Sequence, residues 1–206
     1  MKRIFVTGIS TEVGKTIASA ILVEALHADY WKPIQAGELE YSDSHKIAEL
    51  VSNSKTALYK NSYALKTPMS PHAAAEIDGV TIDIDQIKPP ETNNHLVVEG
   101  AGGLLVPLND SDTVLDIIPS NYHVIVVSRH YLGSINHSLL TINLLQEKGF
   151  KVAVIFSGNE HSTTENIIIK KTGVSVIGRI EEESVFNKAV VLKYANRFRD
   201  SILALR

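Results

Sequence analysis

A glycine-rich segment near the start of the chain constrains the fold more than any other feature of the sequence. It reads Gly-Ile-Ser-Thr-Glu-Val-Gly-Lys-Thr from Gly8 to Thr16, and the apolar run Ile4 to Thr7 leads into it. An amphipathic run, Lys15 to His27, overlaps the end of this glycine-rich segment and predicts a helix. Strand, glycine-rich loop and helix in this order are typical of a phosphate-binding P-loop, with an ordinary glycine-rich turn as the alternative.

The residue types in this loop indicate how it would bind phosphate. Successive backbone N–H groups curl around an anion, and the positive end of the helix dipole points at it. Lys15 would supply positive charge for the β- and γ-phosphate oxygens, and the Thr16 hydroxyl is placed to ligate Mg²⁺. Five residues, Ile9 to Val13, separate the two glycines where the common pattern has four, so the loop is longer than usual.

Strand-like and helix-like runs alternate along the chain. After Ile4 to Thr7, strands are predicted over Asp29 to Lys32, His95 to Glu99, His123 to Ser128, Lys151 to Phe156 and Val174 to Ile180. After Lys15 to His27, helices are predicted over Ser44–Ser52, Asn136–Lys148, Thr163–Lys171 and Ser184–Leu203, and Ser54 to Asn94 is the least regular stretch. Continuous apolar strands suit a parallel sheet that is buried on both faces. The alternation predicts an α/β fold over residues 1–206: one domain with a doubly wound, mostly parallel sheet and helices on both faces.

Composition and charge limit the classes of partner. The 206 residues are 44% hydrophobic and 21% charged, with a net charge of −3 and neither a long basic run nor an apolar run of membrane-spanning length. Nucleic acid and membranes are therefore not expected as partners. The lack of cysteine excludes disulfides and thiolate metal sites. Because the first residues lead directly into a strand, we expect no leader peptide and a cytoplasmic location.

Polar residues follow the second predicted strand, at the edge of the sheet where ligands bind in folds of this kind. Lys32 precedes a proline and is either a solvated lysine or a charge that offsets a transferring phosphoryl group. Asp43 follows Ser42 near the start of a predicted helix. Either Ser42 or Asp43 caps this helix, or Asp43 is a carboxylate ligand for Mg²⁺.

The third predicted strand delivers an acid followed by glycines. Glu99 stands at its end, and Gly100-Ala101-Gly102-Gly103 follows. A carboxylate beside a P-loop is a ligand type that Mg²⁺ prefers in nucleotide sites. Glycines let backbone N–H groups approach a ligand closely, although a β-turn would also explain one or two of them. The segment therefore favours Glu99 as the acid that holds the metal.

Two helix starts each allow a structural and a functional interpretation. Gly133 and Ser134 open a helix whose free N–H groups would bind a carboxylate, but a Ser134 or Asn136 cap without a ligand explains the segment as well. Pro71 follows a serine at another helix start, as is normal there. His72 beside it has no second His or acid at metal-ligand spacing, so no zinc site is predicted.

Taken in order, these motifs resemble the dethiobiotin synthetase family. The matching elements are Gly8–Thr16 as the long form of the loop, Lys32–Ile34, Ser42–Asp43, Ser70–His72, Val98–Gly103 and Leu132–His137, between residue 2 and about residue 145. The resemblance implies an enzyme that uses ATP and Mg²⁺ to make dethiobiotin from 7,8-diaminopelargonic acid and CO₂ or bicarbonate. It implies that a carbamate of one amine takes the γ-phosphoryl group and that the second amine closes the ureido ring and expels phosphate.

The resemblance also implies roles for individual residues. The implied catalytic residues are Lys15, Lys32 and Thr11, and the implied metal ligands are Thr16, Asp43 and Glu99. The implied nucleotide-binding residues are Gly8, Glu12, Val13, Gly14, Lys15, Thr16 and Glu99, with Ser157 or Asn159 in place of the family's adenine-reading Asn. The implied substrate-binding residues are Thr11, Lys32, Ala36, Pro71 and Gly102, and, from the partner subunit of a homodimer, Gly133, Ser134, Ile135 and Asn136.

The chain departs from the family at Ala36, where a Ser or Thr is usual, so one hydroxyl toward the substrate is missing. Two other classes resemble the chain in part. Synthetases of the cobyrinate type normally carry a glutaminase domain, which is not expected within these 206 residues. Partition or septum-positioning switch ATPases typically carry an extra lysine early in the loop, and Ile9 to Val13 contains none. The synthetase is therefore the predicted function, with the switch ATPase as the alternative.

Overall fold

Seven parallel strands form the central sheet. The computed structural model describes residues 1–205. The strands are β1 (Arg3–Gly8), β2 (Asp29–Trp31), β3 (Ile34–Ala36), β4 (Leu58–Tyr59), β5 (Tyr63–Leu65), β6 (Leu96–Gly103), β7 (His123–Arg129), β8 (Lys151–Ser157) and β9 (Ser175–Ile180). The order across the sheet is β4-β2-β6-β1-β7-β8-β9, and β3 pairs with β5 in a separate parallel pair. The predicted α/β class with a parallel sheet is confirmed.

Helices cover both faces of this sheet, as predicted. They are α1 (Lys15–Leu26), α2 (Asp43–Leu50), α3 (Pro71–Asp78), α4 (Ser134–Glu147), α5 (Ser162–Thr172) and α6 (Lys188–Leu203). Helix α1 packs against α2 and α6, and α4 packs against α5. The chain moves through α1 toward one edge of the sheet and through α4 toward the other. Right-handed crossovers in opposite directions place the two groups of helices on opposite faces.

The core lies on both sides of strands β1, β7 and β8. Phe5 and Val6 of β1, Val126 of β7 and Ile155 of β8 are fully buried. Because neighbouring residues of a strand point to opposite faces, both faces must be covered to bury consecutive side chains. Helix α1 is buried along most of its length since it contacts β1 and β6 on one side and α6 on the other.

Strand β6 is longer than predicted and runs past Glu99 to Gly103. The register pairs Gly103 with Gly8 of β1. A Cβ atom at Gly100 would lie 2.9 Å from the ring of Phe5, so the missing side chain allows the strands to stay close. Glu99 therefore lies within the strand and not at its end. Its side chain reaches Thr16, which follows the loop after β1.

Short elements account for the other differences. The stretch from Ser54 to Asn94, predicted to be the least regular, contains β4, β5 and α3. These elements have two to eight residues, too few for hydrophobic periodicity to reveal them. The last helix begins at Lys188 and not at Ser184, because the Asn187 side chain accepts a hydrogen bond from Val190 N and caps the helix there. Across residues 1–205, none of the helices combines the length and apolar character that crossing a membrane requires.

Candidate functional site

The loop between β1 and α1 closes over the start of the helix. Glu12 and Gly14 adopt left-handed backbone conformations, with φ of 55° and 95°. The side chain of Lys15 folds back, and its Nζ donates a hydrogen bond to the carbonyl oxygen of Ser10 at 3.0 Å. A Cβ at Gly8 would lie 2.6 Å from Val13 Cγ2, so the tight start of the loop has no space for a side chain. The motif therefore forms a compact loop, as a P-loop requires, and the ordinary-turn alternative is not supported.

Four predicted residues meet where this loop runs into the helix. Thr16 Oγ1 donates a hydrogen bond to Glu99 Oε1 at 2.9 Å. Lys32 Nζ donates to the same oxygen at 3.1 Å and also forms an ion pair with Asp43 Oδ2. Lys32 is only 6% exposed, so it is not the solvated lysine that the sequence allowed. We call Thr16, Lys32, Asp43 and Glu99 the carboxylate cluster.

Asp43 does not cap helix α2. Ser42 is the residue before the first turn of α2, and its backbone N–H donates to His45 Nδ1 at 3.0 Å. Asp43 is the first residue of the helix, and its two carboxylate oxygens contact Lys32 and Lys46. The structure thus separates the two interpretations, since Ser42 is the cap and Asp43 faces the cluster.

The charges in the cluster are mutually compensating. Burial lowers the pKa of Lys15 to about 8, with Lys32 acting in the same direction against Glu99 and Asp43. Burial alone would also lower the pKa of Lys32, but the attraction of Glu99 and Asp43 outweighs it and raises that pKa above its ordinary value. Burial would raise the pKa of Asp43, but Lys32 and Lys46 outweigh it and lower that pKa. Lys15, Lys32 and Lys46 therefore together offset the negative charges of Glu99 and Asp43.

The oxygen donors of the cluster suit Mg²⁺. This ion is usually held by one or two carboxylates together with phosphate oxygens, and Thr16 adds a hydroxyl to Asp43 and Glu99. The Lys32 ammonium group lies between the carboxylates of Asp43 and Glu99, so the two carboxylates are arranged to bind a positive charge. No group of three or more His, Cys, Asp or Glu side chains suited to a metal occurs within residues 1–205. A Mg²⁺ ion here would therefore depend on the nucleotide for its remaining ligands.

A small cavity of about 250 Å³ adjoins the cluster. It is lined by all of the substrate residues predicted from the same subunit, Thr11, Lys32, Ala36, Pro71 and Gly102, and also by Asp43. Gly102 has a φ of 67°, and a Cβ there would lie 2.8 Å from Val106 and 3.6 Å from Thr11. The glycine therefore keeps the cavity open beside Thr11. Met69, Ser70 and Val106 also line it, and the sequence did not predict them among the residues of this cavity.

The start of α4 borders a different cavity, of about 770 Å³. Its lining includes Gly133, Ser134, Ile135 and Asn136, together with His130 and His161, which sequence reasoning missed. Gly133 has a φ of 100° at the N-cap position, and no side chain caps the helix, so the interpretation of Ser134 or Asn136 as a cap is wrong. The cavity shares no lining residue with the small cavity beside Lys32. One subunit therefore does not bring the two predicted groups together.

An apolar groove of about 750 Å³ runs from Thr11 along α4. Leu104 to Pro107 form one side, and Leu140 and Leu144 lie on the other. Leu105 and Leu140 are 60% and 62% exposed, which is unusual for two large apolar side chains that border the same groove.

The two residues predicted to contact adenine, Ser157 and Asn159, differ in burial. Ser157 touches the P-loop, since a Cβ at Gly14 would lie 3.1 Å from Ser157 Oγ. Asn159 is exposed two residues further on. A groove of about 690 Å³ beside Thr16 is also lined by Phe186 and Asn187. Sequence reasoning missed these two because it placed them inside the last helix.

A buried tyrosine behind the cluster was also missed. Tyr30 is fully buried in β2, and its hydroxyl donates to Glu99 Oε2 at 2.9 Å. Burial raises the pKa of Tyr30 well above its ordinary value, and Glu99 acts in the same direction, so the hydroxyl keeps its proton. The residue stands in an apolar strand, where nothing in the sequence signals a contact with the site.

Comparison with known proteins shows relatives that are similar in sequence. A family model described as an AAA domain matches residues 2–189. The chain is 60% identical over 199 residues to the ATP-dependent dethiobiotin synthetase BioD of Christiangramia forsetii, with 96% of each chain covered. It is 48% identical over 204 residues to the protein of the same name from Cytophaga hutchinsonii, with 98% of each covered.

Solved structures with a similar fold are far more distant in sequence. A MinC:MinD cell division protein complex of Aquifex aeolicus matches with a TM-score of 0.61 at 14% identity, covering 98% of this chain and 96% of that one. A ParA family ATPase of Chlorobium tepidum matches all of both chains with a TM-score of 0.57 at 13% identity. At such identities the likeness shows the fold alone and adds no support for the switch ATPase alternative. By its identity to curated relatives over nearly its whole length, the chain belongs to the ATP-dependent dethiobiotin synthetase family.

Proposed function

We propose that this chain closes the ureido ring of 7,8-diaminopelargonic acid with CO₂ at the expense of ATP, giving dethiobiotin, ADP and phosphate. The observation that carries the proposal is the position of Lys32. This residue belongs to the carboxylate cluster beside the P-loop and also lines the small cavity. A phosphate-binding loop and a cavity for a small organic molecule thus share one buried positive charge, as phosphoryl transfer between ATP and that molecule requires.

The proposed chemistry proceeds through two activated forms of the substrate. One amine adds to CO₂ and loses a proton, which gives a carbamate. A carbamate oxygen attacks the γ-phosphorus of ATP while the bond to the β–γ bridging oxygen breaks and ADP leaves. The second amine then attacks the carbon of the carbamic–phosphoric anhydride, phosphate leaves, and the five-membered ring closes.

Lys15 and Lys32 support the transfer step electrostatically. A carbamate and a triphosphate repel each other, so the reaction depends on positive charge and alignment more than on an acid or base. Lys15 belongs to the P-loop and would contact the β- and γ-phosphates. Lys32 would offset charge on the carbamate and the phosphoryl oxygens. Thr11 and Gly102, which lie next to each other in the lining of the small cavity, would hold the diamine end of the substrate.

Mg²⁺ is proposed as the cofactor, held by Thr16, Asp43 and Glu99. When bound, it would neutralise and orient the β- and γ-phosphate oxygens. Because Lys15, Lys32 and Lys46 already offset the two carboxylates, the cluster alone attracts a further cation weakly. The ion is therefore expected to arrive with the negatively charged nucleotide.

The base of ATP is proposed to lie at the end of β8, beside Ser157 and Asn159 and close to Gly14. Gly8, Glu12, Val13 and Gly14 would line the phosphates through their backbone. The groove that Phe186 shares with Thr16 extends from the same loop and offers an aromatic surface near the nucleoside.

A homodimer is proposed to complete the substrate site. The substrate carries a carboxylate far from its two amines, and the uncapped start of α4 is a suitable anion site, but it lies in a different cavity from Lys32. A partner subunit would bring its own Gly133, Ser134, Ile135 and Asn136 to the substrate of the first. Exposed Leu105 and Leu140 suit such a contact, with the groove between them open to the substrate's methylene chain.

The direct test measures ADP release by the purified protein with ATP, Mg²⁺ and bicarbonate, with and without the diamine. We expect release to require the diamine and to be matched by a product that is heavier by one carbonyl group and lighter by two hydrogens. A monoamine of the same chain length is the matched substrate control, since it can form a carbamate but cannot close the ring. The Lys15→Ala variant measures any contaminating ATPase. Release that is indifferent to the diamine would refute the proposed function.

A further inference from the structure

Tyr30 and the carboxylate cluster occupy one face of the sheet. Strands β2 and β6 are paired in parallel, with Tyr30 opposite Val97. Side chains two residues apart on a strand point to the same face, so Glu99 projects on the side of Tyr30, and Lys32 follows Tyr30 by the same step. The phenol ring is fully buried and ends with its hydroxyl on Glu99 Oε2.

The hydrogen bonds divide the two oxygens of Glu99 between different partners. Oε1 accepts from Thr16 at 2.9 Å and from Lys32 at 3.1 Å, whereas Oε2 accepts from Tyr30 alone among residues 1–205. The torsion that turns a glutamate carboxylate is soft and roughly two-fold, so the backbone by itself does not select which oxygen faces Thr16. The Tyr30 hydroxyl opposes this rotation, because turning the carboxylate would leave a buried hydroxyl without its acceptor.

We propose that Tyr30 is a positioning residue of the metal site, whose hydroxyl fixes the orientation of Glu99 and so raises the affinity for Mg²⁺. The inference rests on the proposed function only through the metal site formed by Thr16, Asp43 and Glu99. Hydrogen-bond partners of metal-ligating side chains commonly change metal affinity by about 10- to 100-fold when they are removed.

Tyr30→Phe is the test variant, because it deletes one oxygen atom and keeps the ring that packs in the core. The matched control is Tyr194→Phe. Tyr194 is also fully buried, and its hydroxyl donates to a glutamate, Glu183, at 2.8 Å, outside the carboxylate cluster. Tyr194→Phe loses this partly buried hydrogen bond and one that the hydroxyl accepts from Glu181 N at 3.1 Å, so it controls for the loss of tyrosine hydrogen bonds away from the cluster.

The primary measurement is the affinity for Mn²⁺ in the presence of ADP, followed by the electron paramagnetic resonance of free Mn²⁺. We expect Tyr30→Phe to weaken binding about tenfold and Tyr194→Phe to leave it within about twofold of the wild type. The second readout is steady-state kinetics, in which Tyr30→Phe should raise the Mg²⁺ concentration for half-maximal rate by a similar factor. The KM for the diamine should stay unchanged, whereas a general structural defect would change it as well.

A double-mutant cycle with Glu99→Gln separates positioning from any other effect. If Tyr30 acts through Glu99, Tyr30→Phe should weaken Mn²⁺ binding much less in the Glu99→Gln background than in the wild type. Equal Mn²⁺ affinities of Tyr30→Phe and the wild type, or fully additive losses in the cycle, would overturn the inference and leave the proposed function intact. Absence of any Mn²⁺ binding by the wild type with ADP would overturn the metal site and the inference together.

Discussion

Lys32 contacts both carboxylates of the cluster and lines the small cavity. Its burial is tolerated because Glu99 and Asp43 raise its pKa, which keeps the ammonium group charged. A charged lysine at this position would offset the negative charge of a carbamate and of a transferring phosphoryl group. Lys46 provides the contrast, since it also pairs with Asp43, at 3.4 Å, but does not line the small cavity.

Removing the charge of Lys32 should therefore abolish most turnover without unfolding the protein. For Lys32→Met, which keeps the aliphatic stem, we expect kcat to fall about 10²- to 10³-fold, the range found for other groups that stabilise developing charge. Lys193→Met is the control and should stay within about fivefold of the wild type, because Lys193 forms an exposed ion pair with Glu183 outside the carboxylate cluster. Diamine-dependent ADP release and circular dichroism measure the two effects. Unchanged turnover of Lys32→Met would remove Lys32 from the catalytic set.

Residues within contiguous motifs were predictable from the sequence, and residues that depend on folding were not. Lys15 and Thr16 stand in one segment with a known geometry, and Glu99 is flagged by the glycines after it. Tyr30 and His161 lie in segments without a motif, and only the packing of distant segments brings them to the cluster or to the start of α4. A single sequence carries no signal for such contacts.

At the scale of elements, a buried acid joins α1 to the segment that follows α2. Glu24 of α1 is 3% exposed and accepts hydrogen bonds from the backbone and side chain of Ser52, both at 2.7 Å, and from Asn53. Burial alone would raise the pKa of Glu24, but these hydrogen bonds together outweigh it and lower the pKa below its ordinary value. The contact secures the segment after α2, the helix that starts at Asp43.

This contact should make stability depend on pH. Because the folded-state pKa of Glu24 lies below the unfolded value of 4.5, its contribution is present above pH 4.5 and is lost as the pH falls through the folded-state pKa. We expect Glu24→Gln to lower the free energy of unfolding by about 1–3 kcal/mol at pH 7 and by less near pH 4. Urea unfolding at both pH values measures this, with Glu91→Gln at an exposed acid as the control. Equal losses at the two pH values would contradict the account.

Long elements were predicted well because their apolar runs exceed the length that turns produce. Strands β1, β7 and β8 and helices α1 and α4 are all close to their predicted bounds. The short strands β3, β4 and β5 were not predicted, and of the eight-residue helix α3 only the start, at Pro71, was recognised. Elements of this length are stabilised mainly by contacts with the rest of the protein, and the sequence of the element alone does not encode those contacts.

At the scale of the whole molecule, the separation of the two cavities argues for a second copy of the chain. Leu140 is 62% exposed on α4 beside the apolar groove. We expect Leu140→Glu to dissociate the dimer and to raise the KM for the diamine at least about tenfold, while the affinity for ATP changes little, because the P-loop lies within one subunit. Sedimentation velocity and steady-state kinetics provide the two measurements.

Leu192→Glu is the matched control for the dimer, because Leu192 is 40% exposed on α6. Helix α6 packs on the face of the sheet opposite α4, so this variant should remain dimeric and active. A wild-type protein that is fully active as a monomer would contradict the shared site, and so would a Leu140→Glu variant that is monomeric with an unchanged KM.

In the proposed reaction one site joins the phosphate of ATP to a carbamate of the diamine, so an oxygen atom should pass from the carbamate to the released phosphate. The reaction is run for a short time in ordinary water with ¹⁸O-labelled bicarbonate, and the released phosphate is analysed by mass spectrometry. Because the anhydride breaks at its carbon–oxygen bond during ring closure, the account predicts that each phosphate formed with dethiobiotin carries one oxygen from the labelled carbamate. Unlabelled phosphate formed at the rate of dethiobiotin synthesis would show that water, and not the carbamate, attacks ATP, and would contradict the account.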